Sequence, residues 1–354
     1  MEKRKTAVTR REFLGGLAAT GALAAWMTPL ESEAEPLSLI KPAPLREGDY
    51  VGLVAPASPA FEPSTLVEGR MALEKLGYRV KIGRYAARKW GYLAGSDAER
   101  AEDLMAMFRD PEVRGIFALR GGYGTIRMLP LLDYRAIREH PKILIGYSDI
   151  TSLHLAIHKL AGLITYHGAV ATSTFNDYST RYLKYILGRS EAAGRIETPA
   201  AALPMCFWPD RSPEVVRGPL TGGNLTLVCA SLGTPYEIET TGKVLFLEET
   251  GEEPYDLDRM LTQLSQSGKL QSVAAILFDR CARCKPAEYK PAFENTLSVE
   301  EVLEDRLAGL GVPVLYGLSI GHVADKPVLP LGVTAAVFKK EAAFSLEEAA
   351  VGEK

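Results

Sequence analysis

The chain has 354 residues, 47% of them hydrophobic and 24% charged, which excludes a largely disordered polymer and leaves enough apolar side chains for one or two full cores. Its 41 Lys and Arg nearly balance 44 Asp and Glu, for a formal net charge of −3, so there is no broad basic field for nucleic acid. Four cysteines are too few for a disulfide scaffold in a chain this long, and no repeat with a period of about 20–50 residues marks a solenoid or propeller.

Residues 1–34 read as an address and not as part of the fold. Lys3, Arg4 and Lys5 are followed by Thr9-Arg10-Arg11-Glu12-Phe13-Leu14, and Gly15 to Trp26 then carries no charge. Paired arginines before Phe-Leu and a mildly apolar Gly/Ala run resemble a twin-arginine export signal, with Ser32-Glu33-Ala34 as a small-x-small cleavage site. The uncharged run is shorter than the ~20 residues a membrane span needs. The expectation is a periplasmic or otherwise extracytoplasmic protein, with no stable membrane insertion after processing.

From Asp49 the pattern alternates between strand and helix. Tyr50 to Ala55 is a short apolar run closed by Pro56, which predicts a buried strand. Leu66, Met71, Leu73 and Leu76 have helical spacing, Arg79 to Ile82 alternates as a strand, and Ala98 to Phe108 is helical again. Gly115 to Leu119 and Ile143 to Ile145 predict two more strands, with part of a helix over Arg127 to Leu132 between them. Ile150, Leu153, Ile157 and Leu160 put one apolar face on a following helix. Strands alternating with helices imply right-handed crossovers and a parallel sheet covered on both faces, here over 45–170.

Pro199, Pro204, Pro209 and Pro213 punctuate an Ala-rich stretch, so 171–215 is expected to be the crossing between domains. A smaller second α/β domain is expected over 216–346. Its strands lie at Lys243 to Leu247, Val273 to Phe278 and Pro313 to Tyr316, with a final hairpin from Ala335 to Ser345. Pro254 opens one of its helices and Ser298-Val299-Glu300-Glu301 caps another. Glu347 to Lys354 is expected to fray.

In open α/β sheets ligands gather at the carboxyl ends of strands, and three segments place reactive groups there. In Ile145-Gly146-Tyr147-Ser148-Asp149-Ile150 the serine stands on a strand-to-helix turn, where a nucleophile elbow exposes its hydroxyl. The Asp149 N–H is then a candidate oxyanion donor. The match to G-x-S-x-G is incomplete, because Ile150 replaces the second glycine, and a simple helix-cap role for Ser148 or Asp149 stays open. Arg120-Gly121-Gly122-Tyr123-Gly124 follows the Leu119 strand and lets backbone N–H groups approach a ligand, or is a plain glycine turn. Leu245-Phe246-Leu247-Glu248-Glu249 runs a strand into acids, where Glu248 could orient a histidine or simply meet solvent.

Five histidines are available: His140, His154, His158, His167 and His322. His322, in a Gly-flanked loop after the 313–316 strand, occupies an exposed, non-periodic position suited to a general base. His154 and His158, four apart on a helix, lack the further ligands that zinc needs and read as packed or surface residues. Cys281-Ala282-Arg283-Cys284 has no second C-x-x-C to make a four-cysteine site, and Cys229 reads as structural, so no metal and no cofactor are expected.

Taken together, five motifs in order resemble the LD-carboxypeptidases of serine peptidase family S66. They are Leu119 to Gly124, Ile145 to Thr151, Gly222-Gly223-Asn224-Leu225, Phe246 to Glu249 with Asp258 to Leu264, and Gly321-His322 followed by Leu329-Pro330-Leu331-Gly332. The likeness runs from about Pro44 to Phe338. It implies two α/β domains, the first a parallel sheet of the flavodoxin or glutamine-amidotransferase kind, with the active site between them and a homodimer as the common assembly. It also implies a Ser148–His322–Glu248 triad, oxyanion N–H groups on Asp149 and Gly122, and release of terminal D-alanine from murein tetrapeptides through an acyl-enzyme. Arg120 and Arg259 are candidates for the free carboxylate, and Asn224 for another substrate contact. The export signal departs from the cytoplasmic recycling enzymes that are typical of the family.

Two rival expectations remain. An exported solute-binding protein also has two α/β domains behind a signal, but has no need for Ser, His and Glu at three strand ends. Relatives resembling microcin immunity proteins cleave an amide in a peptidyl nucleotide, which calls for aromatic side chains stacked on a base.

Overall fold

A computed structural model describes residues 37–199, 204–209 and 212–353, so the segment 1–34, expected to be an export signal, lies outside the described residues. The first half runs β1 (Tyr50–Val54), α1 (Pro63–Lys75), β2 (Arg79–Ile82), α2 (Asp97–Arg109), β3 (Val113–Ala118), α3 (Thr125–Met128), α4 (Tyr134–Glu139), β4 (Ile143–Gly146), α5 (Thr151–Ala161) and β5 (Tyr166–His167). These five strands are parallel and lie in the order β2-β1-β3-β4-β5, a doubly wound arrangement whose winding reverses between β1 and β3. Their continuous apolar runs follow from cover on both faces: Leu53, Phe117 and Ile145 pack into one cluster, and Ile116, Leu144 and Leu153 into another.

The second half runs α6 (Asp177–Gly188), β6 (Gly194–Arg195), β7 (Met205–Phe207), β8 (Val215–Asn224), α7 (Leu225–Ser231), β9 (Val244–Glu248), α8 (Pro254–Gln266), β10 (Ala275–Asp279), α9 (Val299–Leu307), β11 (Val314–Leu318), β12 (Leu329–Pro330), β13 (Thr334–Phe338) and β14 (Ala343–Leu346). Its sheet has the order β6-β14-β13-β8-β9-β10-β11-β7. β8 serves both parts of it: Val215–Pro219 pairs antiparallel with β13 and Leu220–Asn224 parallel with β9. β12 leaves this half and pairs with β5 as an antiparallel edge of the first sheet.

Two expectations change. The stretch read as a crossing carries α6, whose Tyr182, Leu183, Ile186 and Leu187 are buried, and supplies β6 and β7 to the second sheet. The prolines that suggest a crossing all lie beyond that helix. Up to Gly352 the C-terminal residues do not fray: Ala350 and Val351 are buried, the Tyr166 hydroxyl donates to the Ala350 carbonyl, and the Gly352 N–H donates to the Pro42 carbonyl.

Candidate active site

Ser148 follows the carboxyl end of β4 and opens a short 3-10 turn that leads into α5. Its φ is +64°, a left-handed conformation that L-residues with a side chain seldom hold and that tends to be retained at functional turns. The side chain is partly accessible, less open than an exposed turn. The Arg120–Gly124 loop forms the adjoining wall. A Cβ on Gly121 would stand 2.9 Å from the Ser148 Cβ, so only glycine lets this loop close on the serine. Asp149 is buried and its carboxylate accepts the Thr125 N–H at 2.8 Å, which fixes the turn to α3. Gly122, at φ +118°, lies over Ser58.

Glu248 is the last residue of β9 and is fully buried. His322 lies in the loop after β11, and its Nδ1 is 2.7 Å from Glu248 Oε2. The imidazole side chain is only 14% exposed, which corrects the expectation of an open loop position: the His322 ring packs edge-on against Tyr147, the neighbour of Ser148, at 4.8 Å between centroids. Burial pushes the Glu248 carboxyl up, but the His322 hydrogen bond and the electrostatic influence of the two neighbouring imidazoles outweigh it and hold Glu248 below its ordinary range. Among the described residues no hydrogen bond joins Ser148 to His322.

Several residues of this centre were missed in the sequence. Asp279 ends β10 as Glu248 ends β9. It is buried, and accepts the N–H groups of Ile320 at 2.9 Å, Gly321 at 3.0 Å and Cys281 at 3.0 Å. From the other sheet, His167 Nε2 lies 3.0 Å from the Ile320 carbonyl. Burial holds His167 down at about 4, so the ring is neutral and donates this bond. The peptide before His322 is thereby clamped from both sheets. Gly321 is required because a Cβ there would stand 2.6 Å from Glu248. Lys326 is buried with its ammonium 4.1 Å above the Tyr147 ring, and burial pushes it down to about 8 against the pull of Glu248 and Asp279. No carboxylate pairs with it among the described residues. An acid closing a second buried strand was a readable signal for Asp279; nothing in the sequence pointed to Lys326 or His167.

The other candidates divide. Asn224 caps α7, and its Nδ2 donates to Glu249 at 2.9 Å, so its side chain is engaged within the protein. Arg259 is an exposed side chain on α8, paired with the largely buried Asp256 at 2.7 Å. Arg120 has no acidic partner among the described residues; its guanidinium covers Phe61 and donates to the Pro59 carbonyl at 3.3 Å. His154 and His158 are packed on α5 and held down near 3 and 4 by burial. Cys281 and Cys284 are adjacent buried free thiols. Among the described residues no group of three or more His, Cys, Asp or Glu is arranged to hold a metal, and no helix is long and apolar enough to cross a membrane.

Comparison with known proteins gives a consistent result. Residues 51–168 match the family model of the LD-carboxypeptidase N-terminal domain, and 217–337 that of the C-terminal domain. The chain is 41% identical over 313 residues to a probable murein peptide carboxypeptidase of Bacillus subtilis, covering 87% of this chain and 94% of that protein. It is 33% identical over 296 residues to the murein tetrapeptide carboxypeptidase of Pseudomonas aeruginosa, covering 80% and 92%. Among solved structures it is similar to MccF in complex with glutamyl sulfamoyl guanosine, at TM-score 0.79 and 25% identity over 88% of this chain and all of that one. It is also similar to a muramoyltetrapeptide carboxypeptidase from Oxalobacter formigenes, at TM-score 0.70 and 28% identity over 84% and 97%.

Proposed function

The chain belongs to the S66 family of LD-carboxypeptidases, a family of hydrolases, and from that premise we propose that it is a serine carboxypeptidase releasing terminal D-alanine from murein tetrapeptide stems. The observation that carries the reading is the buried Glu248–His322 hydrogen bond set against the turn that bears Ser148. Membership of a hydrolase family sets aside the solute-binding alternative.

Ser148 Oγ attacks the carbonyl of the third residue while His322 Nε2 takes its proton. Glu248 receives Nδ1–H, fixes the tautomer and stabilises the imidazolium. The N–H groups of Asp149 and Gly122 are the oxyanion donors. The C–N bond breaks as His322 returns the proton to the leaving D-alanine amine. Water, deprotonated by His322, then hydrolyses the acyl-enzyme and frees Ser148. A free C-terminal carboxylate needs a cation, and Arg120, beside the glycine loop that walls Ser148, and Lys326, over Tyr147, are candidates with no acidic partner among the described residues. The reading is tested by incubating the protein with a disaccharide-tetrapeptide and following the loss of one alanine by mass.

The likeness to MccF structures supports a second reading, cleavage of an amide in a peptidyl nucleotide. An aminoacyl sulfamoyl nucleoside offered beside the tetrapeptide separates the two. Export by the twin-arginine route belongs to the proposal as well; replacing Arg10 and Arg11 with Lys is expected to leave folded precursor in the cytoplasm. A homodimer is expected, and sedimentation decides it.

A further inference from the structure

Four aromatic side chains stand out of the surface at one end of the first sheet. Phe61 is 73% exposed, Tyr92 64%, Trp90 58% and Tyr123 46%. They come from the loops after β1, β2 and β3, which are the carboxyl ends of strands parallel to β4. The site of Ser148 and this rim therefore share one edge of the sheet, and the rim spans the point between β1 and β3 where the winding reverses and ligands of such sheets collect.

The rim is held together by the backbone. The Tyr123 N–H donates to Ser58 Oγ at 3.1 Å, and the Ala94 N–H to the Ala57 carbonyl at 3.0 Å, so the three loops are joined. Tyr92 and Tyr123 lean together with centroids 5.7 Å apart. Charged groups border the rings: Arg120 covers Phe61 at 3.9 Å, and Arg127, paired with Asp97, lies 5.9 Å from the Trp90 centroid. Exposed rings on loops joined by these bonds, at the same sheet edge as Ser148, mark a binding surface. Rings bordered by charged donors and acceptors suit a pyranose, which offers C–H faces to aromatics and hydroxyls to the border.

Distance agrees with this. Adjacent strands are about 4.8 Å apart, so β1 lies roughly 10 Å from β4 and β2 roughly 14 Å. Three extended residues between the scissile carbonyl and the start of a tetrapeptide stem span about 10 Å. A stem laid from Ser148 across β3 brings its sugar-bearing end onto Phe61, Tyr92 and Trp90.

We propose that this aromatic rim is a sugar subsite that binds the muramoyl end of the substrate; the inference rests on the carboxypeptidase reading. It fixes a direction. The acyl side of the stem runs over β3 past Arg120, and the leaving D-alanine faces β5 and the His322 loop, where Lys326 is the cation.

The test compares a disaccharide-tetrapeptide with the same tetrapeptide lacking sugar. The wild-type chain is expected to favour the sugar-bearing stem by about tenfold in kcat/KM, chiefly through KM. Trp90→Ala and Tyr92→Ala are expected to remove that advantage and leave the rate on the bare peptide within twofold. Equal wild-type rates on both stems, or variants slowed equally on both, overturn the subsite. So does a change of sedimentation mass in Trp90→Ala, which assigns the rim to contact between copies. If neither stem is cleaved, the carboxypeptidase reading fails by itself. Tryptophan fluorescence of Ser148→Ala titrated with the disaccharide-tetrapeptide then still decides the rim: saturable quenching lost in the Trp90→Phe background supports it, and no quenching, or quenching by an aminoacyl sulfamoyl nucleoside alone, overturns it.

Discussion

His322 Nδ1 meets Glu248 Oε2 at 2.7 Å although 74 positions separate them in sequence, and the acid is wholly buried while the histidine keeps 14% of its side chain exposed. A buried carboxylate held against one imidazole nitrogen leaves the other nitrogen to exchange protons, which is the division of labour a general base requires.

Replacing Ser148 or His322 with Ala should therefore reduce turnover of tetrapeptide by at least about a thousandfold, with the double variant little slower than either single one, because triad members act as a unit. Glu248→Gln should fall between, since it keeps the packing but loses the charge. Steady-state rates with circular dichroism as a fold control check this; a Ser148→Ala enzyme near wild-type rate contradicts the assignment.

The left-handed backbone at Ser148 makes an opposite prediction for stability. Strain of this kind costs about 1–3 kcal/mol, and glycine relieves it. Ser148→Gly should thus be inactive yet more stable, by roughly 1 kcal/mol after the greater chain entropy of glycine is subtracted. Chemical denaturation of Ser148→Gly beside Ser148→Ala measures the difference.

A reader of the peptide's free end should discriminate against its amide. Leaving a buried cation unpaired costs about 3–5 kcal/mol, or roughly two to three decades in kcat/KM, so the amidated stem and a pentapeptide stem should both be poor. Lys326→Met should bring the free and amidated rates together, whereas Arg120→Gln should slow both. Equal wild-type rates on all three stems are incompatible with a carboxypeptidase.

The same lysine sets a pH dependence. Burial lowers Lys326 from an ordinary 10.5 to about 8, so its charge is present below that value and lost as pH rises through it. The ratio of kcat/KM for free over amidated stems should be flat up to about pH 7 and fall above about pH 8, since kcat/KM reports the free enzyme. A ratio that is constant to pH 9.5 in the wild type excludes Lys326 as the carboxylate's partner.

Cys281 and Cys284 are free and adjacent, close to Asp279 but outside the proposed triad. Replacing both with Ser should keep the rate within about twofold and cost about 1–3 kcal/mol in stability, from buried hydroxyls that lose partners. Loss of activity together with a bound metal in that variant would refute a purely structural role.

Sequence by itself determined what depends on neighbours along the chain. Short apolar runs bounded by Gly and Pro placed the strands, because a strand buried on both faces has no choice but to be apolar. The Gly-Tyr-Ser-Asp turn, the glycine loop after β3 and the acid closing β9 marked Ser148, Gly121 and Glu248 as strand-end residues, since local backbone chemistry sets those positions. Spacing could not show that α6 lies within the presumed crossing, because prolines beyond it dominated the reading, or that the last residues are tied down by Tyr166 and Pro42. Only the tertiary structure decided which side chains meet. Asp279 and His167 clamp the His322 loop from two sheets, Arg259 and Asn224 are engaged within the protein, and Lys326 is left without an acid over Tyr147. Those contacts join residues that are far apart in the chain, and a hydrogen bond or an unpaired charge exists only once strand order has brought its groups within a few ångströms.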